Sequence, residues 1–123
     1  MPKVMLIEDD AVMLSLLQTL LEYEGFQTVQ LNGERSVEEI LNRVRVDKPE
    51  LILLDVHLGH INGLDLLRRL RNDNELKSTR VLISSGMELR AESIVDGADG
   101  FILKPYMPDE LMSRIRDTLK TDV

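Results

Sequence analysis

Asp55 ends the apolar run Leu51-Ile52-Leu53-Leu54 and is followed by a Gly-containing, non-helical stretch. A carboxylate at the end of a buried strand is costly unless it has a partner or a task. The pattern recurs. Val4-Met5-Leu6-Ile7 runs into Glu8-Asp9-Asp10, Val81-Leu82-Ile83 into Ser84-Ser85-Gly86, and Phe101-Ile102-Leu103 into Lys104-Pro105. If these runs are parallel neighbours, acids, hydroxyls and a lysine meet in one crevice suited to a metal ion and a phosphate.

Carboxylates gathered there repel, which calls for a divalent cation or raised pKa values. A hard cation such as Mg2+ takes one or two carboxylates, keeps waters and shares phosphate oxygens. His57 and His60 have no further soft ligand nearby, so zinc is not indicated. One Asp55 oxygen then stays free as a nucleophile, giving an aspartyl phosphate. Transfer depends on positioning and charge neutralisation, with Lys104 facing the cation and the Ser85 hydroxyl or nearby amides on a phosphoryl oxygen.

The elements that must position these groups alternate between short β-type runs and helical segments, the signature of a parallel α/β sheet. Strand 1 spans Lys3–Ile7, and Met13, Leu16, Leu17, Leu20 and Leu21 follow at helical spacing, with Gly25 placed to end the helix. Phe26–Leu31 reads as strand 2 and Asn32-Gly33 as a turn. Ser36-Val37-Glu38-Glu39 is a capping box opening a helix with Val37, Ile40, Leu41 and Val44 inward. Strand 3 is Leu51–Leu54, and Asn62-Gly63 opens a third helix carrying Leu66, Leu67 and Leu70. Arg80–Ile83 is strand 4. A weaker helix with Ala91, Ile94, Val95 and Ala98 is interrupted by Gly97. Phe101–Leu103 is strand 5, and Pro108, Asp109 and Glu110 begin a last helix with Leu111, Ile115 and Leu119. The fold class is therefore α/β: one doubly wound, five-stranded parallel sheet with five helices, in the flavodoxin-like order 2-1-3-4-5. That order makes strands 1 and 3 neighbours at the switch point, so Glu8, Asp9 and Asp55 converge there with Ser85 and Lys104 alongside.

The 123 residues fit one domain, and a net charge of −7 leaves no basic footprint for nucleic acid and disfavours anionic membranes. There is no cysteine, hence no disulfide framework. The first apolar run is too short for a secretory signal and none is long enough to span a membrane. A cytoplasmic location is the default expectation.

On these motifs the sequence resembles a response-regulator receiver domain of two-component signalling, of the chemotaxis-receiver kind. The matching residues are Leu6 to Asp10, Leu53-Leu54-Asp55 with Gly63, Ile83 to Gly86, and Gly97 to Pro105, in order and at suitable spacing across residues 1–123. The resemblance implies that Asp55 accepts a phosphoryl group from a histidine kinase or phosphotransfer protein. It implies that Asp9 and Asp55 bind Mg2+ directly, Glu8 through water, and His57 through its backbone carbonyl. Lys104 becomes the phosphate-contacting lysine, Ser85 the switch hydroxyl and Phe101 the switch aromatic. The Lys104-Pro105 peptide is often cis in such domains. Self-phosphorylation and slow autodephosphorylation are implied, without turnover of an external substrate. With no output domain in the chain, the effect passes to a downstream protein or an output domain elsewhere. Relatives use the face of helix 4, strand 5 and helix 5 for partners, so homodimerisation on phosphorylation is implied as well.

Two departures stand out. The usual proline after the acceptor is absent, with Gly59 in that stretch, which leads one to expect a looser loop. The distance from Ser85 to Lys104 is short by roughly one helical turn, so helix 4 or the loop before it must be shortened. Taken singly, the features also have ordinary readings: the acids as N-caps, Lys104 as a surface lysine, Phe101 as core, and Ser84 as a rival for the switch role on the opposite face. Competing functions are an unphosphorylated pseudo-receiver scaffold and a haloacid-dehalogenase-type phosphatase. The latter needs a second Asp where His57 stands.

Overall fold

A computed structural model describes residues 1–31 and 36–120. The turn expected at Asn32-Gly33 lies outside them. The sheet consists of β1 (Lys3–Ile7), β2 (Gln27–Leu31), β3 (Leu51–Asp55), β6 (Arg80–Ser85) and β7 (Gly100–Leu103), ordered β2-β1-β3-β6-β7 with every pair parallel. This is the expected 2-1-3-4-5 order, with two short strands, β4 (His57–Leu58) and β5 (Ile61–Asn62), added outside the sheet. The helices are α1 (Ala11–Tyr23), α2 (Val37–Asp47), α3 (Gly63–Arg71), α4 (Arg90–Val95) and α5 (Pro108–Lys120). Among the described residues, no helix is long and apolar enough to cross a membrane.

Period-two alternation divides the strands between two cores. Met5, Ile7, Ile52, Leu54, Val81, Ile83 and Phe101 pack with α2 and α3. Val4, Leu6, Leu51, Leu53, Leu82 and Ile102 pack with α1 and α5. β3 is buried at every position, so its residues are apolar until the chain reaches Asp55. The strand ends are more extended than the apolar runs suggested: Asp55 is the last residue of β3, and Ser84 and Ser85 are the last two of β6.

The helix signals act as expected at most ends. Ser36 Oγ accepts from Glu39 N at 3.1 Å, Asn62 Oδ1 accepts from Leu64 N at 2.8 Å, and Gly25 follows α1 at φ +94°. Two periodic readings need correction. Leu16 has helical spacing but is exposed, as are Ile94 and Val95 of α4. Periodicity shows which residues share a face, not whether anything covers it. As the short Ser85–Lys104 spacing required, α4 is only six residues long.

The segment after Asp55 is not a loose loop. His57 pairs with Asn62 and Leu58 with Ile61 in an antiparallel hairpin, and Gly59 takes φ +67° in its two-residue turn. Gly63 N donates to Val56 O at 2.7 Å, bringing the start of α3 against the end of β3. A Cβ on Gly63 would lie 2.4 Å from Asp55 O and 2.7 Å from Val56 Cα, both backbone atoms. Gly63→Ala is therefore expected to lower stability by about 2–3 kcal/mol in urea titrations. Gly86→Ala, with nothing within 4 Å of the new Cβ, is the control and should stay within about 0.5 kcal/mol.

Candidate functional site

Glu8 continues β1 by one residue, Asp55 ends β3 and Lys104 follows β7, so the parallel sheet delivers all three to its carboxyl edge. There Lys104 Nζ lies 2.8 Å from Glu8 Oε1 and 3.3 Å from Asp55 Oδ2. Glu8 and Asp55 are both buried, while Lys104 is half-buried. Neighbouring backbone holds the acids as well: Asp10 N donates to Glu8 Oε2 at 3.3 Å and His57 N donates to Asp55 Oδ1 at 3.4 Å. Lys104 N in turn donates to Ser85 O at 2.7 Å, and the Lys104-Pro105 peptide is cis.

The electrostatics follow from two buried acids around one ammonium. Burial raises the Asp55 pKa, reinforced by hydrogen bonding and charge from Glu8, to about 6, although Lys104 and the His57 N–H pull the other way. Burial works to lower the Lys104 pKa, but its hydrogen bonds and attraction to Glu8 and Asp55 hold it above the usual value. Lys104 therefore stays cationic throughout the range in which Asp55 titrates. The result is an ionisable oxygen backed by a fixed cation.

The acids after β1 divide their roles. Asp10 is the N-cap of α1, its Oδ1 accepting from Val12 N at 2.9 Å and Met13 N at 3.2 Å. The capping explanation thus applies to Asp10, leaving Glu8 and Asp9 unexplained by it. Asp9 is exposed, and its Oδ2 lies over Gly59, 3.1 Å from where a Cβ would stand. Asp9 and the hairpin therefore meet at the mouth of the crevice. Among the described residues, no three His, Cys, Asp or Glu side chains are grouped to hold a metal by themselves. The side chains the strand ends and the hairpin offer are the carboxylates of Asp55, buried, and of Asp9, exposed beside Gly59. Oxygen donors of this kind suit a hard cation and not the nitrogen and sulfur shell of zinc.

Ser84 and Ser85 differ in placement. Ser84 is directly opposite Asp55 in register, whereas Ser85 shares its face with Ile83 and, across the strand pair, Phe101. Both are buried, and Ser85 Oγ accepts from Met87 N at 3.0 Å. Phe101 is buried in the core that includes Ile83, with the Arg90 guanidinium 5.4 Å from its ring centroid. The structure thus brings Glu8, Asp55 and Lys104 into direct contact, sets Asp9 at the rim, and keeps Ser85 and Phe101 on the adjoining face.

Sequence reasoning did not anticipate Tyr106 or Arg90. The Tyr106 hydroxyl is buried without a hydrogen-bond partner, and burial pushes its pKa up. It lines an apolar groove of about 880 Å3 with Leu16, Leu20, Tyr23, Pro105 and Pro108. The aromatic after Lys104-Pro105 was the available signal for it; Arg90 had none, because its long side chain meets Phe101 only in the fold.

A family model for the response regulator receiver domain matches residues 4–116. The DNA-binding response regulator MtrA of Mycolicibacterium paratuberculosis is 32% identical over 118 residues, covering 96% of this chain and 51% of that protein. The transcriptional regulatory protein CpxR of Escherichia coli is 36% identical over 121 residues, covering 98% and 50%. The chain thus spans about half the length of these curated relatives. Among solved structures, the BeF3-activated N-terminal receiver domain of Klebsiella pneumoniae RstA superposes with a TM-score of 0.83 at 25% identity, covering 97% of this chain and 99% of that one. The receiver domain of the Francisella response regulator 1452 gives 0.85 at 27%, covering 98% of each.

The raised Asp55 pKa has a signed consequence for stability. Between its ordinary 3.8 and about 6, the folded chain holds a proton at Asp55 that the unfolded chain has lost. Stability therefore falls as pH rises through that window, and the loss is complete above it. Asp55→Asn removes the penalty. The variant is expected to exceed the parent chain by about 2 kcal/mol at pH 7.5 without added metal, and to match it below pH 4. Urea melts at several pH values test this; a difference that does not vary with pH would contradict it.

Proposed function

From the premise that this chain belongs to the response regulator receiver domain family, we propose that Asp55 is its phosphoacceptor. Receiver domains of response regulators are signalling modules of two-component systems rather than substrate-turnover enzymes, and response regulators interact with histidine kinases and output domains. For this chain the proposed reaction is attack by an Asp55 carboxylate oxygen on the phosphorus of a phosphohistidine. The P–O bond forms as the P–N bond breaks, and the electron pair leaves with the imidazole nitrogen, which takes up a proton. The observation carrying the reading is the contact of Lys104 Nζ with both Glu8 and Asp55.

Each neighbour has work in that reaction. Lys104 is cationic and close enough to turn from Asp55 Oδ2 to a phosphoryl oxygen. Asp9 and Asp55, with the His57 carbonyl, would hold Mg2+ directly and Glu8 would reach it through water, since Glu8 is already engaged by Lys104 and Asp10 N. Bound there, the cation would neutralise charge on the acids and the phosphoryl oxygens. Burial of Asp55 (6% exposed) limits approach to the open end of the crevice and shelters the acyl phosphate from water. Ser85 is read as the hydroxyl that turns to the phosphoryl group, and Phe101 as the ring that follows it. We read residues 1–123 as one cytoplasmic receiver domain with only slow autodephosphorylation. Its phosphorylated form would act through a downstream protein or an output domain, with homodimerisation as one route.

The chain incubated with Mg2+ and a small phosphodonor is expected to gain one phosphoryl group by intact mass. Asp55→Asn or removal of Mg2+ should abolish the gain, and an adduct surviving in Asp55→Asn would overturn the assignment. Ser85→Ala should slow phosphorylation by about tenfold or more, whereas Ser84→Ala should leave the rate within about twofold. The reverse order would transfer the switch role to Ser84.

A further inference from the structure

The short α4 is held differently at its two ends. Beyond its C-terminal end, Arg68 from α3 bonds Asp96 Oδ2 at 2.6 Å. Arg71 donates through Nε to Gly97 O at 2.7 Å and through a terminal nitrogen to Asp99 Oδ2 at 2.8 Å. That Asp99 oxygen also accepts from Val81 N at 2.8 Å, tying the assembly to β6. Gly97 sits at φ +104°, and an added Cβ would stand 2.9 Å from Arg71 Cγ, so the arginine lies hard against the backbone. This end is bolted to the sheet and to α3.

The starting end is held by local bonds and by contacts with the crevice side. Leu89, its N-cap residue, makes no side-chain capping bond, and Gly86, Met87 and Glu88 are exposed. Leu89 packs against the core, and Arg90 N donates to Glu88 Oε2 at 2.9 Å; two further contacts reach toward the crevice. Met87 N donates to Ser85 Oγ, and the guanidinium of Arg90, the first residue of α4, covers the ring of Phe101. Ser85 and Phe101 lie on the same face of neighbouring strands. Turning the Ser85 hydroxyl toward a phosphoryl group on Asp55 takes away the acceptor on which the Met87 N–H rests, which loosens the start of α4 on the crevice side. The remaining contact on that side then resists.

We propose that Arg90 is a positioning residue that ties the Phe101 ring to the start of α4 and holds the crevice in its resting arrangement. The role rests on the reading of Asp55 as phosphoacceptor and identifies a residue regulating that site. Arg90 touches no reacting group. It acts through Phe101, so its loss favours the phosphorylated arrangement instead of impairing the chemistry.

The experiment is a titration of the full chain with beryllium trifluoride and Mg2+, followed by backbone amide NMR, in the parent, Arg90→Ala and Arg90→Lys. Arg90 is exposed, so both variants are expected to fold, and thermal melts confirm it. Arg90→Ala should bind the phosphoryl mimic roughly two- to fivefold tighter, the scale of one exposed cation–π contact, with Arg90→Lys in between. Amide shifts at Phe101 and Met87 in the free Arg90→Ala protein should move toward their bound positions. Parent-like or weaker binding by Arg90→Ala overturns the role, even if its melting temperature changes, because a purely structural contact would alter stability alone. Failure of the parent chain both to bind the mimic and to take up a phosphoryl group removes the acceptor reading, and the Arg90 role with it.

Discussion

Two buried carboxylates share one lysine ammonium at the edge of the sheet, and the rest of the site depends on that imbalance of charge. Glu8 and Asp55 are removed from water, and Lys104 compensates for less than both. Desolvation with like-charge repulsion leaves Asp55 reluctant to ionise, as its raised pKa records. A site so arranged favours whatever adds positive charge or draws negative charge toward Lys104. In the proposed reading a divalent cation at Asp9 and Asp55 would do the first, and a phosphoryl group beside Lys104 would do the second.

Keeping this imbalance in place requires rigid backbone. Parallel pairing of β1 with β3, β3 with β6 and β6 with β7 sets where each of the three side chains emerges. The close seat of Gly63 on the backbone of Asp55 and Val56 prevents the strand end from drifting, and the hairpin closing on Gly59 carries the His57 amide to Asp55. The Asp55 side is pinned by close backbone contacts, whereas the Ser85–Met87–Arg90 side meets the crevice through one hydroxyl–amide bond and one cation–π contact. A change at the acceptor would therefore find its outlet at the start of α4.

Much of this was legible in the sequence for a physical reason. Strands buried on both faces read as unbroken apolar runs, so the first polar residue after each run marks the open edge where groups meet. Glu8, Asp55 and Lys104 were found that way, although Lys104 and Glu8 are separated by 96 positions. The missing proline was misleading, because a hairpin of two-residue strands is too short to leave a pattern and its closure depends on Gly59. Leu16, Ile94 and Val95 had the right period and are exposed, since periodicity carries no information about cover. The Arg71 clamp and the Arg90–Phe101 contact were invisible because long flexible side chains choose partners only once the backbone is folded. The sequence could not show the register, which pairs Ser84 with Asp55 and puts Ser85 on the face of Phe101.

The central claim is that the partly compensated carboxylate of Asp55, and not a neighbouring acid, carries the phosphoryl group. Borohydride reduces an acyl phosphate to the alcohol, so treating the phosphorylated chain and sequencing its peptides by mass spectrometry locates the modified residue directly. The account predicts homoserine at position 55 and unaltered Glu8, Asp9 and Asp10. Reduction at any of those three, with Asp55 intact, would contradict it.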